Sequence, residues 1–166
     1  MKALPLSLLL LVSLSASAQS ADAIYQQACG PKNTSFEVHQ VKGNPPAEPE
    51  LGKALVYFLQ KKWGGNLMTR VGMDGAWAGV IQGNSYIYAS VEPGEHHVCA
   101  ASMGLKNPDA EFVHFNAQAG KVYYYLVRAE LIDNGGPLTM PIDPVDRDEA
   151  LYLIASDPKT TATPKP

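Results

Sequence analysis

The chain has little of what most catalytic or membrane-bound proteins need. It carries two cysteines and four histidines in 166 residues. It has no G-x-S-x-G elbow, no H-E-x-x-H pair and no phosphate-binding Gly-Lys-Ser/Thr loop, so the common nucleophile, zinc-protease and nucleotide motifs are missing. No long apolar run follows the first fourteen residues, so nothing else would span a bilayer. Basic residues are scattered, with only Lys61 and Lys62 adjacent, and the formal net charge is −3. That balance argues against a nucleic-acid partner.

What is present begins with an export signal. Lys2 supplies a positive charge, and an apolar stretch follows from Leu4 to Leu14. The small residues Ala16, Ser17 and Ala18 end it and fit cleavage after Ala18; Ala21-Asp22-Ala23 offers a second cut after Ala23. The apolar core is about ten residues, half of the roughly 20 that a spanning helix needs. The expectation is a signal peptide over residues 1–18 and a periplasmic or secreted product with no membrane insertion after cleavage. No cysteine directly follows the apolar core, so a lipid anchor is not expected.

Export places Cys29 and Cys99 in an oxidising compartment, where an even pair reads as one disulfide. The closed loop would be about 70 residues, worth roughly 4 kcal/mol in the chain-entropy picture.

Punctuation divides the rest. Residues 19–50 read as a lead-in ending at Gly30-Pro31, then a proline-rich loop, KGNPPAEPE, from Lys42 to Glu50. Residues 51–156 read as one β-rich domain, and residues 157–166 as a disordered tail. Ala54–Gln60, ALVYFLQ, is a continuous apolar run and predicts a central strand. Asp74-Gly75 predicts a hairpin between Leu67–Met73 and Trp77–Ile81. In Tyr86–Val91 the period of two puts Ile87, Ala89 and Val91 on one face and Tyr86 and Tyr88 on the other. Pro93-Gly94 predicts a turn into His96–Met103, and Gln118-Ala119-Gly120 a hairpin joining Glu111–Ala117 to Lys121–Glu130. Asp143 and Pro144 predict the cap and first position of a short late helix carrying Ala150, Leu151 and Ile154. The fold class is mainly β: an antiparallel β-sandwich of about seven strands with one short C-terminal helix.

These motifs, in order, carry a resemblance. Gly52-Lys53-Ala54-Leu55-Val56-Tyr57, Asp74-Gly75, Ser85-Tyr86, Pro93-Gly94-Glu95-His96 and Ala119-Gly120-Lys121-Val122-Tyr123-Tyr124 resemble the bacterial domain-of-unknown-function family 2846 over roughly residues 51–155. The resemblance implies a compact β-sandwich and brings no activity or catalytic residues with it. It does not bring tethering either, since the lipid-attachment cysteine is missing.

Three sets of residues are candidates for function. Trp77, Tyr86 and Tyr88 lie on successive strands and would make a ligand-binding strip if exposed, because tyrosine offers a flat apolar face with a polar tip. His96 and His97 are neighbours on a strand and point to opposite faces, so they cannot readily hold one metal; His114 could join His97 only from an adjacent strand. Carboxylates such as Asp109, Glu111, Asp133 and Asp143 fall mostly in turns or at a cap. The leading reading is a non-catalytic binding or accessory module of the bacterial envelope, with no cofactor and with an envelope protein, peptide or glycan as partner. The alternatives are an envelope enzyme or metal-binding protein using His96, His97 or His114, and a structural subunit of an envelope assembly.

Overall fold

The computed structural model describes residues 20–43, 46–61, 67–104, 110–131 and 138–165. The export signal falls outside them, as do Asp109 and Asp133. Among the described residues no helix is long and apolar enough to cross a membrane.

Helix α1 (Ala21–Ala28) leads into strand β1 (Phe36–Val41). Then come β2 (Ala54–Gln60), β3 (Met68–Met73), β4 (Ala76–Gln82), β5 (Ser85–Val91), β6 (Gly94–Ser102), β7 (Ala110–Ala117) and β8 (Val122–Val127). The short strands β9 (Glu130–Leu131), β10 (Leu138–Thr139) and β11 (Ile142–Pro144) precede helix α2 (Arg147–Ser156) and strand β12 (Lys159–Pro164). A six-stranded sheet has the order β1-β12-β5-β2-β8-β11, and a four-stranded sheet has the order β4-β3-β6-β7. Strands β9 and β10 pair separately.

The two sheets pack face to face. Ala54, Val56 and Phe58 of β2 meet Val71, Ile81, Val98 and Ala100 of the four-stranded sheet in the main core. Leu55, Tyr57 and Leu59 point the other way, into a second core closed by Ala150, Leu153 and Ile154 of α2. All seven residues of β2 are therefore buried. Cover on both faces is why its sequence is a continuous apolar run and not an alternating one.

The Asp74-Gly75 turn is as the sequence predicts. Both residues have positive φ, 52° and 81°, which matches the twist of the flanking strands and favours Asp-Gly. Other expectations need correction. Among the described residues there are twelve strands, more than the seven or so expected. Pairing is antiparallel except that β2 runs parallel to β8, and β12 parallel to β5. The expected hairpin across Gln118–Gly120 does not form, because β7 pairs with β6 in one sheet and β8 with β2 in the other. Likewise Pro93-Gly94 is a corner where the chain crosses from β5 in one sheet to β6 in the other. A turn signal marks a reversal but not which sheet receives the returning strand.

The late helix begins at Arg147, with Asp146 as its cap: the Asp146 carboxylate accepts from the Asp148 N–H at 2.8 Å. Pro144 belongs to β11 instead, and Val145 N–H continues that ladder by donating to Tyr124 O at 3.0 Å. Most significant is the tail. Residues expected to be disordered form β12, which pairs with β1 over six positions and joins the six-stranded sheet beside β5. Lead-in and tail thus complete one sheet, and neither boundary at residue 50 or 157 separates a folding unit. Thr160 fixes the junction: its side chain is buried and donates to Ser85 Oγ at 2.6 Å.

Ending the chain after Asp157 should destabilise it by about 3 kcal/mol or more, since β1 loses its partner and Ser85 is left in an opened core. Urea denaturation of the truncated and full chains measures this. An unchanged midpoint would show that the tail adds nothing to the fold.

Candidate binding site

Helix α1 is short, and its exposed surface mixes Asp22, Gln26 and Gln27 with Ala21, Ala23 and Ile24. Ser20 caps it, accepting from Ala23 N–H at 3.2 Å, and it closes where Cys29 N–H donates to Tyr25 O. Ala28 is its single buried residue. An isolated helix of this length has no stability in water, so its position depends on what it is attached to. The attachment is covalent: Cys29 is bonded to Cys99 of β6, with the two Cα atoms 5.6 Å apart. The expected disulfide is present. It lies in a small third core with Ala28, against which Tyr25, Trp77 and Ala110 pack.

Two glycines let the chain approach this closely. A Cβ on Gly72 would lie 2.8 Å from the backbone of Ala28 and Cys29 and 2.9 Å from Cys99 Sγ. A Cβ on Gly30 would lie 2.4 Å from the Trp77 ring. Both contacts fall below any ordinary Cβ separation, so α1 and its following loop sit against the outer face of the sheet only because these side chains are missing.

The position of Trp77 is set by an irregularity in the ladder. Between Val71 and Gly72 the register of β3 against β4 shifts, so Val71 faces Gly79 but Gly72 faces Trp77. In a regular strand Trp77 and Val80, three apart, would point to opposite faces. The extra residue brings Trp77 to the outer face, the usual effect of a bulge. There its Nε1–H donates to Pro31 O at 2.9 Å, and its ring lies 4.6 Å from the Arg70 guanidinium carbon.

Around this clamp lies an open groove of about 580 Å³, lined by Asp22, Tyr25, Gln26, Cys29, Gly30, Pro31, Lys32 and Gly75. Its size is that of a small-ligand or peptide cleft. The Asp22–Lys32 pair, 2.9 Å apart, crosses it, and Lys32 also stands 4.9 Å above the Tyr25 ring. In the sequence this segment reads as a lead-in, and its one usable signal is the Gly30-Pro31 pair directly after the disulfide cysteine Cys29.

The aromatic residues singled out from the sequence do not form one strip. Trp77 is on the outer face of the four-stranded sheet. Tyr86 is on the far side of the other sheet and only 2% exposed. It packs beside Tyr57, whose ring also meets Tyr88 and stacks on Tyr124. Burial pushes the Tyr57 hydroxyl up to about 12, against the weaker opposing effect of its bond to Ala47. Tyr88 is half-buried, with Lys159 Nζ 4.2 Å above its ring and donating to its hydroxyl. The exposure on which a binding strip depended is not met at Tyr86, where α2 and the residues near Ala47 provide the cover.

The histidines separate as expected. His97 faces outward with Cys99; it lies opposite His114 across the ladder, with ring centres 6.4 Å apart, and touches Gln27 at 2.8 Å. Among the described residues no three His, Cys, Asp or Glu side chains come together to hold a metal. His96 is at the opposite face and packs on Phe115. Its Nδ1 lies 2.6 Å from Asp74 Oδ2 and its Nε2 2.7 Å from Glu92 O. Glu92 O can only accept, and so can Asp74 as a carboxylate, so this pair of contacts favours the ring with both nitrogens protonated. Burial opposes that charge, but the hydrogen bonds to Asp74 and Glu92 and the Asp74 charge outweigh it and raise the histidine above its ordinary value. The second Asp74 oxygen accepts from His97 N–H at 2.9 Å. His96 thus ties the β3–β4 turn to the β5–β6 corner.

The family described as "Protein of unknown function (DUF2846)" matches residues 50–136, just over half of the chain. The chain belongs to that family. No curated protein matches it.

Two outcomes follow from the geometry. Gly72→Val should force α1 off the sheet and leave Cys29 and Cys99 open to alkylation; thiol labelling of the purified variant checks this, and full protection would refute it. The His96 clasp should make stability pH-dependent. A raised histidine contributes fully below its ordinary value of about 6.5 and loses that contribution as pH rises through its folded value. Denaturation midpoints should fall across that window in the parent protein and stay flat in His96→Gln.

Proposed function

We propose that this member of a family of unknown function is an exported, non-catalytic binding or accessory module of the bacterial cell envelope, and that the α1 groove is its contact surface. The observation that carries the reading is the groove itself: a disulfide and two glycines hold an otherwise unstable helix beside an opening of about 580 Å³. A fold that needed only its two sheets would have no use for this arrangement. The buried disulfide supports an oxidising compartment, in line with the export signal. An envelope protein, a peptide or a glycan is the partner class that an open, mixed-polarity groove would take.

The test is site-specific photo-crosslinking in cells. A crosslinking residue at Lys32 should give a discrete adduct in the envelope fraction, while one at Tyr152, exposed on α2 and far from the groove, should not. Adducts from neither position, or equal adducts from both, would count against the groove as the contact surface. Recovery of the protein in the cytoplasm with both cysteines reduced would overturn the exported reading.

A further inference from the structure

Among the described residues β7 ends the four-stranded sheet, with β6 as its one ladder partner. The other sheet edges are guarded. Strand β11 has three residues and ends in Pro144. Strand β1 presents Glu37 paired with His39. In β4 the Gln82 carbonyl is taken by the Gln40 side chain at 2.6 Å. Strand β7 has eight residues, AEFVHFNA, with no proline, no lysine and no slip in register. An edge without such guards is a template for another strand.

Backbone directions show which of its groups are open. The His97 N–H donates to Asp74 Oδ1, and the His97 carbonyl accepts from the Asp74 N–H, both at 2.9 Å. Both groups therefore point away from β7, so His97 and His114 are a non-hydrogen-bonded pair of the ladder. The N–H and C=O of His114 then point out of the sheet. By the period of two, so do those of Phe112 and Asn116. Asn116 agrees: its carbonyl accepts from the Tyr123 hydroxyl at 3.1 Å, which closes one end of the edge. The four backbone groups of Phe112 and His114 have no partner among the described residues.

The side chains repeat this pattern. Phe112 is 44% exposed, and His114 is exposed beside it on the same outer face. Each has a ring on its inboard side, Tyr25 at 6.4 Å from Phe112 and His97 at 6.4 Å from His114. Neither has one outboard among the described residues.

We infer that β7 pairs with β7 of a second copy of this chain, across a two-fold axis at Val113, joining two four-stranded sheets into one of eight strands. In that register Phe112 faces His114 of the second copy, and His114 faces its Phe112. The open groups then make four hydrogen bonds. Each exposed ring gains the outboard neighbour that it lacks. Val113, which packs on the main core, meets its own mate. Glu111, the one carboxylate of β7, lies opposite Phe115, so no like charges meet. An axis at Phe112 would leave His114 opposite Ala110, and an axis at His114 would set Phe112 against the capped Asn116. A second copy supplies both rings at the required spacing.

The inference goes beyond the groove reading and does not need it. A dimer that gives no envelope adduct, or an adduct from Lys32 of a monomer, separates the two. The experiment uses the protein as it accumulates in cells. Sedimentation over a concentration series should show a monomer–dimer equilibrium. Phe112→Lys puts a charge on the edge from an exposed position and should leave only monomer. At a non-hydrogen-bonded pair on the axis the two Val113 Cα atoms would be about 4.5 Å apart, close enough for a disulfide. Val113→Cys should therefore give a covalent dimer on mild oxidation, and Glu111→Cys should not. In the parent protein, slow exchange of the Phe112 and His114 N–H groups that fades on dilution reports the junction without any substitution. A monomer at every concentration, with both amides exchanging freely, would overturn the inference and leave the edge to a strand of another protein. A dimer untouched by Phe112→Lys, or one that crosslinks through Glu111→Cys and not Val113→Cys, would place the contact elsewhere and overturn it as well.

Discussion

An eight-residue helix cannot hold itself together in water, and α1 buries one side chain of its own. Its place on the sheet therefore depends on the covalent bond from Cys29 to Cys99. That bond closes a loop spanning 70 residues of sequence, which is worth roughly 4 kcal/mol in the chain-entropy model. Most other features of the outer face follow from it. Pro31 O receives the Trp77 indole because the loop after Cys29 is brought down onto the sheet. Lys32 O meets Arg70 for the same reason. The groove is the space left between that loop, the helix and the Asp74-Gly75 turn.

Beneath this face the sandwich is an ordinary two-sheet core. Strand β2 separates two hydrophobic clusters, one between the sheets and one under α2. Burying each Val, Leu, Ile or Phe side chain there contributes about 1.5–3 kcal/mol against the entropy of ordering the chain. The core does not need the bulge between Val71 and Gly72. Such a departure from a rule that the rest of the chain obeys is where a site is expected.

Local chemistry was legible in the sequence and long-range assignment was not. The run ALVYFLQ announces a strand with two covered faces, and Asp74-Gly75 announces its turn, because both signals are complete within a few residues. The Cys29–Cys99 pairing was readable because only two cysteines exist. The tail KTTATP reads as disorder because its threonines and flanking prolines offer no apolar face; it becomes a strand only because β1, over a hundred residues earlier, supplies the matching edge. The crossings at Pro93-Gly94 and at Gln118–Gly120 look like hairpins, since nothing in a turn records which sheet comes next. Tyr86 and Tyr88 occupy the face opposite Ile87, as their alternation requires, but the cover provided by α2 is a tertiary fact. Arg70 and Trp77 carry no joint signal at all: seven residues apart, they meet through a one-residue slip in register.

The central claim is that the disulfide organises the outer face of the four-stranded sheet and leaves the sandwich beneath it to stand alone. Hydrogen exchange of Cys29→Ala/Cys99→Ala beside the parent protein tests it most directly. The account predicts that residues 21–35 and Trp77 Nε1–H lose protection while β2, β5 and β8 keep theirs. Unchanged protection of α1 in the variant, or loss of protection throughout the chain, would contradict it.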